Sequence, residues 1–156
     1  MKAATIAELK RTLVTLDQGE LLEAVLRLAR FKKDNKELLT YLLYLSKNEA
    51  SYVNLLCEGI DEQFSLTPNA HKKTLRKLIR WMDKCLRYSG NKETEVQVRI
   101  HFCRALLASD TPFHKYPVMN NMYLGQLKKI KKAVATFHED IPVSYTHLTL
   151  PTTPYV

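Results

Sequence analysis

The sequence predicts an all-α protein of about seven helices. They are expected to pair in antiparallel hairpins, in a compact bundle or a short α-solenoid-like stack. Three observations lead there. Leucine is abundant while glycine is scarce, at four residues, a balance that favours helix over sheet. Apolar residues recur at helical spacing through most of the chain. Side chains suited to helix capping stand at the start of one apolar run after another.

The first run opens at Thr5-Ile6-Ala7-Glu8, which has capping-box spacing. Ile6, Leu9 and Leu13 fall on one side of the short helix that follows. Asp17-Gln18-Gly19-Glu20 repeats the signal and opens a stronger helix with Leu21, Leu22, Val25, Leu26, Leu28 and Ala29 inward. Asp34 or Asn35 is the expected cap of a third helix, KELLTYLLYLS. That helix is apolar on most sides, the mark of a buried central helix. The short break before it predicts an αα-hairpin. Ser46-Lys47-Asn48-Glu49, again with capping-box spacing from Ser46, begins a fourth helix through Tyr52, Val53, Leu55, Leu56, Ile60 and Phe64. Pro68 then breaks the chain, and Asn69 is placed to cap the next segment.

That segment, His71 to Ser89, is the clearest amphipathic helix in the sequence. Leu75, Leu78, Ile79, Met82 and Leu86 form its apolar stripe. Lys73, Lys77, Arg80, Lys84 and Arg87 form a basic face opposite, interrupted only by Asp83. Trp81 falls near the apolar margin. Gly90 is suited to a left-handed C-cap. From Asn91 to Ser109 two periods compete. Val96, Val98, Ile100 and Phe102 alternate like a strand, while Ile100, Cys103, Leu106 and Leu107 repeat like a helix. A lone strand is marginal, so the expectation is a helix paired antiparallel to the basic one. After a loop carrying Pro112, Phe113, His114, Tyr116 and Pro117, the last helix runs from Met119 to Phe137. Tyr123, Leu127, Ile130, Val134 and Phe137 face inward. The loop aromatics are expected to fold back over the core. The hairpins at 20 to 46 and 72 to 109 have a weak likeness to each other.

The N-terminal third, LKRTLVTLDQGELLEAVLRLARFKKDNKELLTYLL, resembles small uncharacterised all-helical bacterial proteins. The resemblance implies a helical fold and brings no activity or site with it.

The character changes after Ile141. Val143 to Val156, VSYTHLTLPTTPYV, contains no Lys, Arg, Asp or Glu and has no helical period. Val143 to Thr152 resembles, codon for codon, the translation of a transposase-based sequencing adapter. The expectation is therefore a single helical domain over 1–141, truncated at its C-terminus, followed by a non-native, unpacked tail at 143–156.

A chain of 156 residues suits one domain. A net charge of +8 permits an acidic protein, a nucleic acid or an anionic surface as partner without selecting among them. No run approaches the ~20 apolar residues of a membrane span. With no secretory signal and an odd cysteine count, a cytoplasmic protein with reduced thiols is expected. No nucleotide-binding, nucleophile-elbow or zinc-ligand spacing occurs, so no catalytic, cofactor or metal site is assigned. His101 and Cys103 diverge on a helix. His138-Glu139 is only half of a two-histidine zinc motif.

The function expected is a non-enzymatic helical interaction module. It would offer Lys73, Lys77, Arg80, Lys84 and Arg87 to an acidic protein, or use its leucine-rich hairpins to self-associate. The alternative is a nucleic-acid-binding domain using the same five residues. A third reading is an enzyme whose motif lies beyond the native sequence present here.

Overall fold

The computed structural model describes residues 1–137. These residues form seven α-helices, with one π-helical and one 3-10 turn, and no strand among them. The fold is all-α. The described helices include none long and apolar enough to cross a membrane. The tail at 143–156 and the His138-Glu139 pair lie outside the described residues.

Packing divides the chain into two compact units, the first covering Met1–Tyr44. It holds α1 (Ile6–Leu13), α2 (Gln18–Phe31) and α3 (Lys33–Thr40). Of the three predicted capping boxes, the two in this unit form, whereas the one at Ser46–Glu49 does not. The Thr5 side chain accepts from the Glu8 amide while Glu8 accepts from the Thr5 amide at 2.7 Å. Asp17 and Glu20 make the same exchange at 2.8 and 3.0 Å. Each satisfies amides that a helix start leaves without partners.

The third helix departs from expectation. It starts at Lys33 with no side-chain cap. Asn35 instead donates its side-chain amide to the Leu28 carbonyl at 2.8 Å, closing the end of α2. Nor is the helix a buried centre. Leu38, Leu42, Leu43 and Tyr44 are all exposed, and Ala29 and Tyr41 are the buried residues of this unit. Two paired helices can cover only one side of each other, so a helix apolar all round is left partly bare.

The second unit begins at Leu45. Its helices are α4 (Glu49–Leu66), α5 (Lys72–Ser89), α6 (Lys92–Ala108) and α7 (Pro117–Val134). The central helix is α6. Thr94, Val96, Val98, Arg99, Ile100, Phe102, Cys103 and Leu106 are all buried. They cover roughly two-thirds of the way round the axis and leave the side of Gln97, His101 and Arg104 outward, which is why an alternating pattern overlaid the helical one. The expectation that α6 pairs with α5 is corrected: α6 packs most extensively on α7 and α4, and less on α5. Phe64 of α4 meets Phe102 with ring centroids 6.1 Å apart. Phe113 folds under the α6–α7 connection onto Tyr123, at 4.9 Å, whereas Tyr116 stays exposed.

Polar ties fix the ends of this unit. Asn48, rather than Ser46, caps α4, accepting from the Ser51 amide at 3.1 Å. Glu49 accepts from the Ser89 hydroxyl at 2.9 Å and from the Thr94 hydroxyl, so one carboxylate joins the start of α4 to the α5–α6 turn. Gly90 makes that turn at φ 65°, the left-handed C-cap expected of it. At the opposite end the α4–α5 and α6–α7 loops are clasped. Thr111 accepts from the Ala70 amide at 2.9 Å and donates to the Pro68 carbonyl at 3.3 Å. The Asp110 amide donates to that same carbonyl at 3.1 Å.

Candidate functional site

The strongest amphipathic element is α5, and its apolar side is locked in place. Leu75, Leu78, Met82, Cys85 and Leu86 are buried. The Tyr52 hydroxyl of α4 donates to the Cys85 carbonyl at 2.7 Å. The opposite side therefore has a fixed direction. Of the five predicted site residues, Lys73, Lys77, Arg80 and Arg87 are exposed, and Lys84 is partly buried. From Lys73 to Arg87 this row extends about 21 Å at the helical rise.

The row does not form one uniform surface. Lys73 and Lys77 line an open cleft of about 570 Å³ between α4 and α5, together with Glu62, Gln63 and Trp81. Trp81 is half-buried, and its ring lies across Gly59 of α4. A methyl group at Gly59 would stand 2.7 Å from the Trp81 Cη2 atom, so only a glycine lets the ring approach this closely. Lys73, Lys77 and Trp81 fall four residues apart along one line of the helix. The cleft thus offers two ammonium groups and one aromatic edge, with the Glu62 carboxylate on its other wall.

Arg87 belongs to a second place. It lines a cleft of about 410 Å³ with Lys92, Lys129, Asp83, Glu95 and Arg99. Beneath this rim is an ionic set that sequence reasoning missed. Arg99 is only 5% exposed. It donates from Nη1 to Asp83 at 2.8 Å and to the Gln126 side chain at 2.7 Å, and from Nε to Glu95 at 3.0 Å. Lys129 reaches the other Asp83 oxygen at 3.3 Å, and Lys92 reaches Glu95 at 3.0 Å. Burial raises the Glu95 carboxyl, but hydrogen bonds and charge from Lys92 and Arg99 outweigh it and hold its pKa below the usual carboxylate value. A buried guanidinium with carboxylates on two sides is a satisfied structural group. Its parts come from α5, α6 and α7, so no local spacing announces it.

The histidine and thiol groups do not converge. The Nε2 atom of His101 lies 2.7 Å from Asp61 Oδ1, tying α6 to α4. Cys103 is fully buried. None of the three cysteines is in a disulfide. Burial pushes the Cys57 thiol to about 11 and the Cys103 thiol to about 12, which leaves neither as a thiolate near neutral pH. Among the described residues no group of three or more His, Cys, Asp or Glu is placed to hold a metal ion. Comparison with protein-family models, curated proteins and solved structures finds no match to this chain.

Proposed function

We propose that the protein is a non-enzymatic helical interaction module that binds an acidic segment of a partner protein on α5. The observation that carries this reading is the line Lys73, Lys77 and Trp81 along one wall of the α4–α5 cleft. A lysine pair attracts carboxylates, and a half-buried tryptophan is a frequent anchor of binding energy. The buried opposite face of α5 holds these groups in place before a partner arrives, which lowers the ordering cost of binding. Cysteines outside any disulfide agree with a reducing, cytoplasmic setting.

A second reading, nucleic-acid binding, rests on the four exposed cations in one row. One feature weighs against it: the row is divided, with Lys73 and Lys77 lining one cleft and Arg87 another.

One titration separates the two. Trp81 is the only tryptophan, so its emission reports occupancy of the cleft. A peptide of alternating Glu and Leu is expected to change that emission saturably, and Lys77→Glu with Arg80→Glu is expected to remove the response. A 20-base-pair duplex is expected to bind weakly by comparison. Duplex binding whose log K falls with log salt at a slope of about −3 to −4, as four phosphate contacts require, and which the same double variant abolishes, would replace the first reading with the second.

A further inference from the structure

The first unit has an apolar groove that its own residues leave open. Val25, Leu28 and Ala29 of α2 form one wall, and Leu38, Leu39 and Leu42 form the other, around a cavity of about 210 Å³ whose one polar lining residue is Asn35. Beside it, Leu22 is 59% exposed, Leu28 63% and Phe31 76%. We propose that this groove is a homodimer interface, occupied by the same α2–α3 hairpin of a second copy. The proposal does not depend on the reading of the basic face of α5.

Four considerations select a second copy as occupant. The unit spans 44 residues, Met1–Tyr44, and buries only Ala29 and Tyr41. A chain of this length needs a bridge, a metal or an oligomer to complete a core. It contains no cysteine at all, which removes the disulfide route. The available area is also of the right size. The exposed parts of Leu22, Val25, Leu28, Phe31, Leu38 and Leu42 amount to on the order of 700 Å², against about 800 Å² per partner in a standard interface.

Shape gives the third consideration. Two helical hairpins brought groove to groove about a two-fold axis make a four-helix bundle. Each copy then supplies the same patch, and the assembly closes at two. The fourth is charge. The second unit is strongly basic, whereas residues 1–44 hold eight basic and six acidic side chains. Two copies of this near-balanced surface meet without the repulsion that apposed basic faces would suffer.

The test uses the full chain at neutral pH. Light scattering at about 100 µM is expected to give a particle of about 36 kDa, twice the 18.1 kDa of one chain, that dissociates on dilution. Leu28→Glu is expected to weaken dimerisation at least about 100-fold, the loss expected from a charge in an interface centre, with helicity by circular dichroism unchanged. Because that variant could also disturb the hairpin, a second measurement leaves the sequence intact. In a mixture of isotope-labelled and unlabelled protein, isotope-filtered methyl contacts are expected between Leu28 of one copy and Leu38 or Leu42 of the other. A monomer of 18.1 kDa at 100 µM overturns the proposal. So does a dimer that tolerates Leu28→Glu, or one whose intermolecular contacts lie outside residues 1–44.

Discussion

Asp83 stands in the middle of the most cationic helix of the chain, and both of its oxygens are engaged by cations from other helices. Arg99 lies at 2.8 Å and Lys129 at 3.3 Å. In sequence the residue reads as an interruption of a basic face. In space it is one side of the ionic set that also holds Glu95 and Gln126. The Glu95 carboxyl carries a testable consequence. Its folded pKa lies below the usual value, so between the two values the unfolded chain binds the proton and the folded chain does not. The stabilisation it gives is complete above the ordinary carboxylate pKa of about 4.3 and is lost as pH falls through the lowered value. Glu95→Gln should therefore reduce the urea midpoint at pH 7, and the gap to the parent should close toward pH 3. A gap of equal size at both pH values would show that the carboxylate charge contributes nothing. None of this was legible beforehand, because the partners lie 4, 16 and 27 positions from Arg99 and only the 4-residue spacing belongs to a single helix.

At the scale of elements, legibility followed local chemistry. The capping boxes at Thr5 and Asp17 and the glycine stop at Gly90 were readable because each is decided within about four residues. The apolar stripe of α5 was readable because one side is wet and the other dry. Where a helix is apolar on all sides, the pattern says only that it could be buried. By that pattern the sequence nominated α3 as a buried centre, whereas the helix with many buried residues is α6 of the second unit. What separates them is the number of neighbours, which no local pattern records. Gly59 is a similar case: a glycine inside α4 looks like a weakness until Trp81 is seen lying across it. Replacing a helical glycine with alanine ordinarily stabilises by about 1 kcal/mol. Here the added methyl meets the indole at 2.7 Å, and overpacking of this kind costs ~1–3 kcal/mol. Gly59→Ala is expected to destabilise by about 1 kcal/mol in urea titrations and to shift Trp81 emission. A stabilised variant with unchanged emission would mean that the ring is not held against α4.

At the scale of the molecule, the all-α class was readable from composition, and the division at Tyr44 was not. Nothing in the residues around it marks a linker: the π-helical turn at Tyr41–Leu45 runs through the boundary without a proline or glycine. The candidate site was half legible. Exposure of Lys73, Lys77, Arg80 and Arg87 followed from periodicity, while the cleft that joins Lys73 and Lys77 to Trp81 needed α4 in position. The net charge also has an uneven source, since residues from Val143 onward contribute no Lys, Arg, Asp or Glu. If the adapter reading of Val143 to Thr152 is correct, source DNA read past codon 141 encodes different residues. Finding VSYTHLTLPT in genomic DNA would remove that reading.

The Thr111 clasp has a practical consequence for anyone cutting or extending this chain. Two loops about 40 residues apart share one carbonyl, that of Pro68, and one hydroxyl. Altering the length of either loop therefore loosens both, and with them the entry to α5 and the exit from α6. The turn at Gly90 is the better place for new termini or an inserted reporter. A Cβ built there meets nothing within 4 Å, and α5 and α6 would keep their ends near each other through Glu49 even with the chain opened between them.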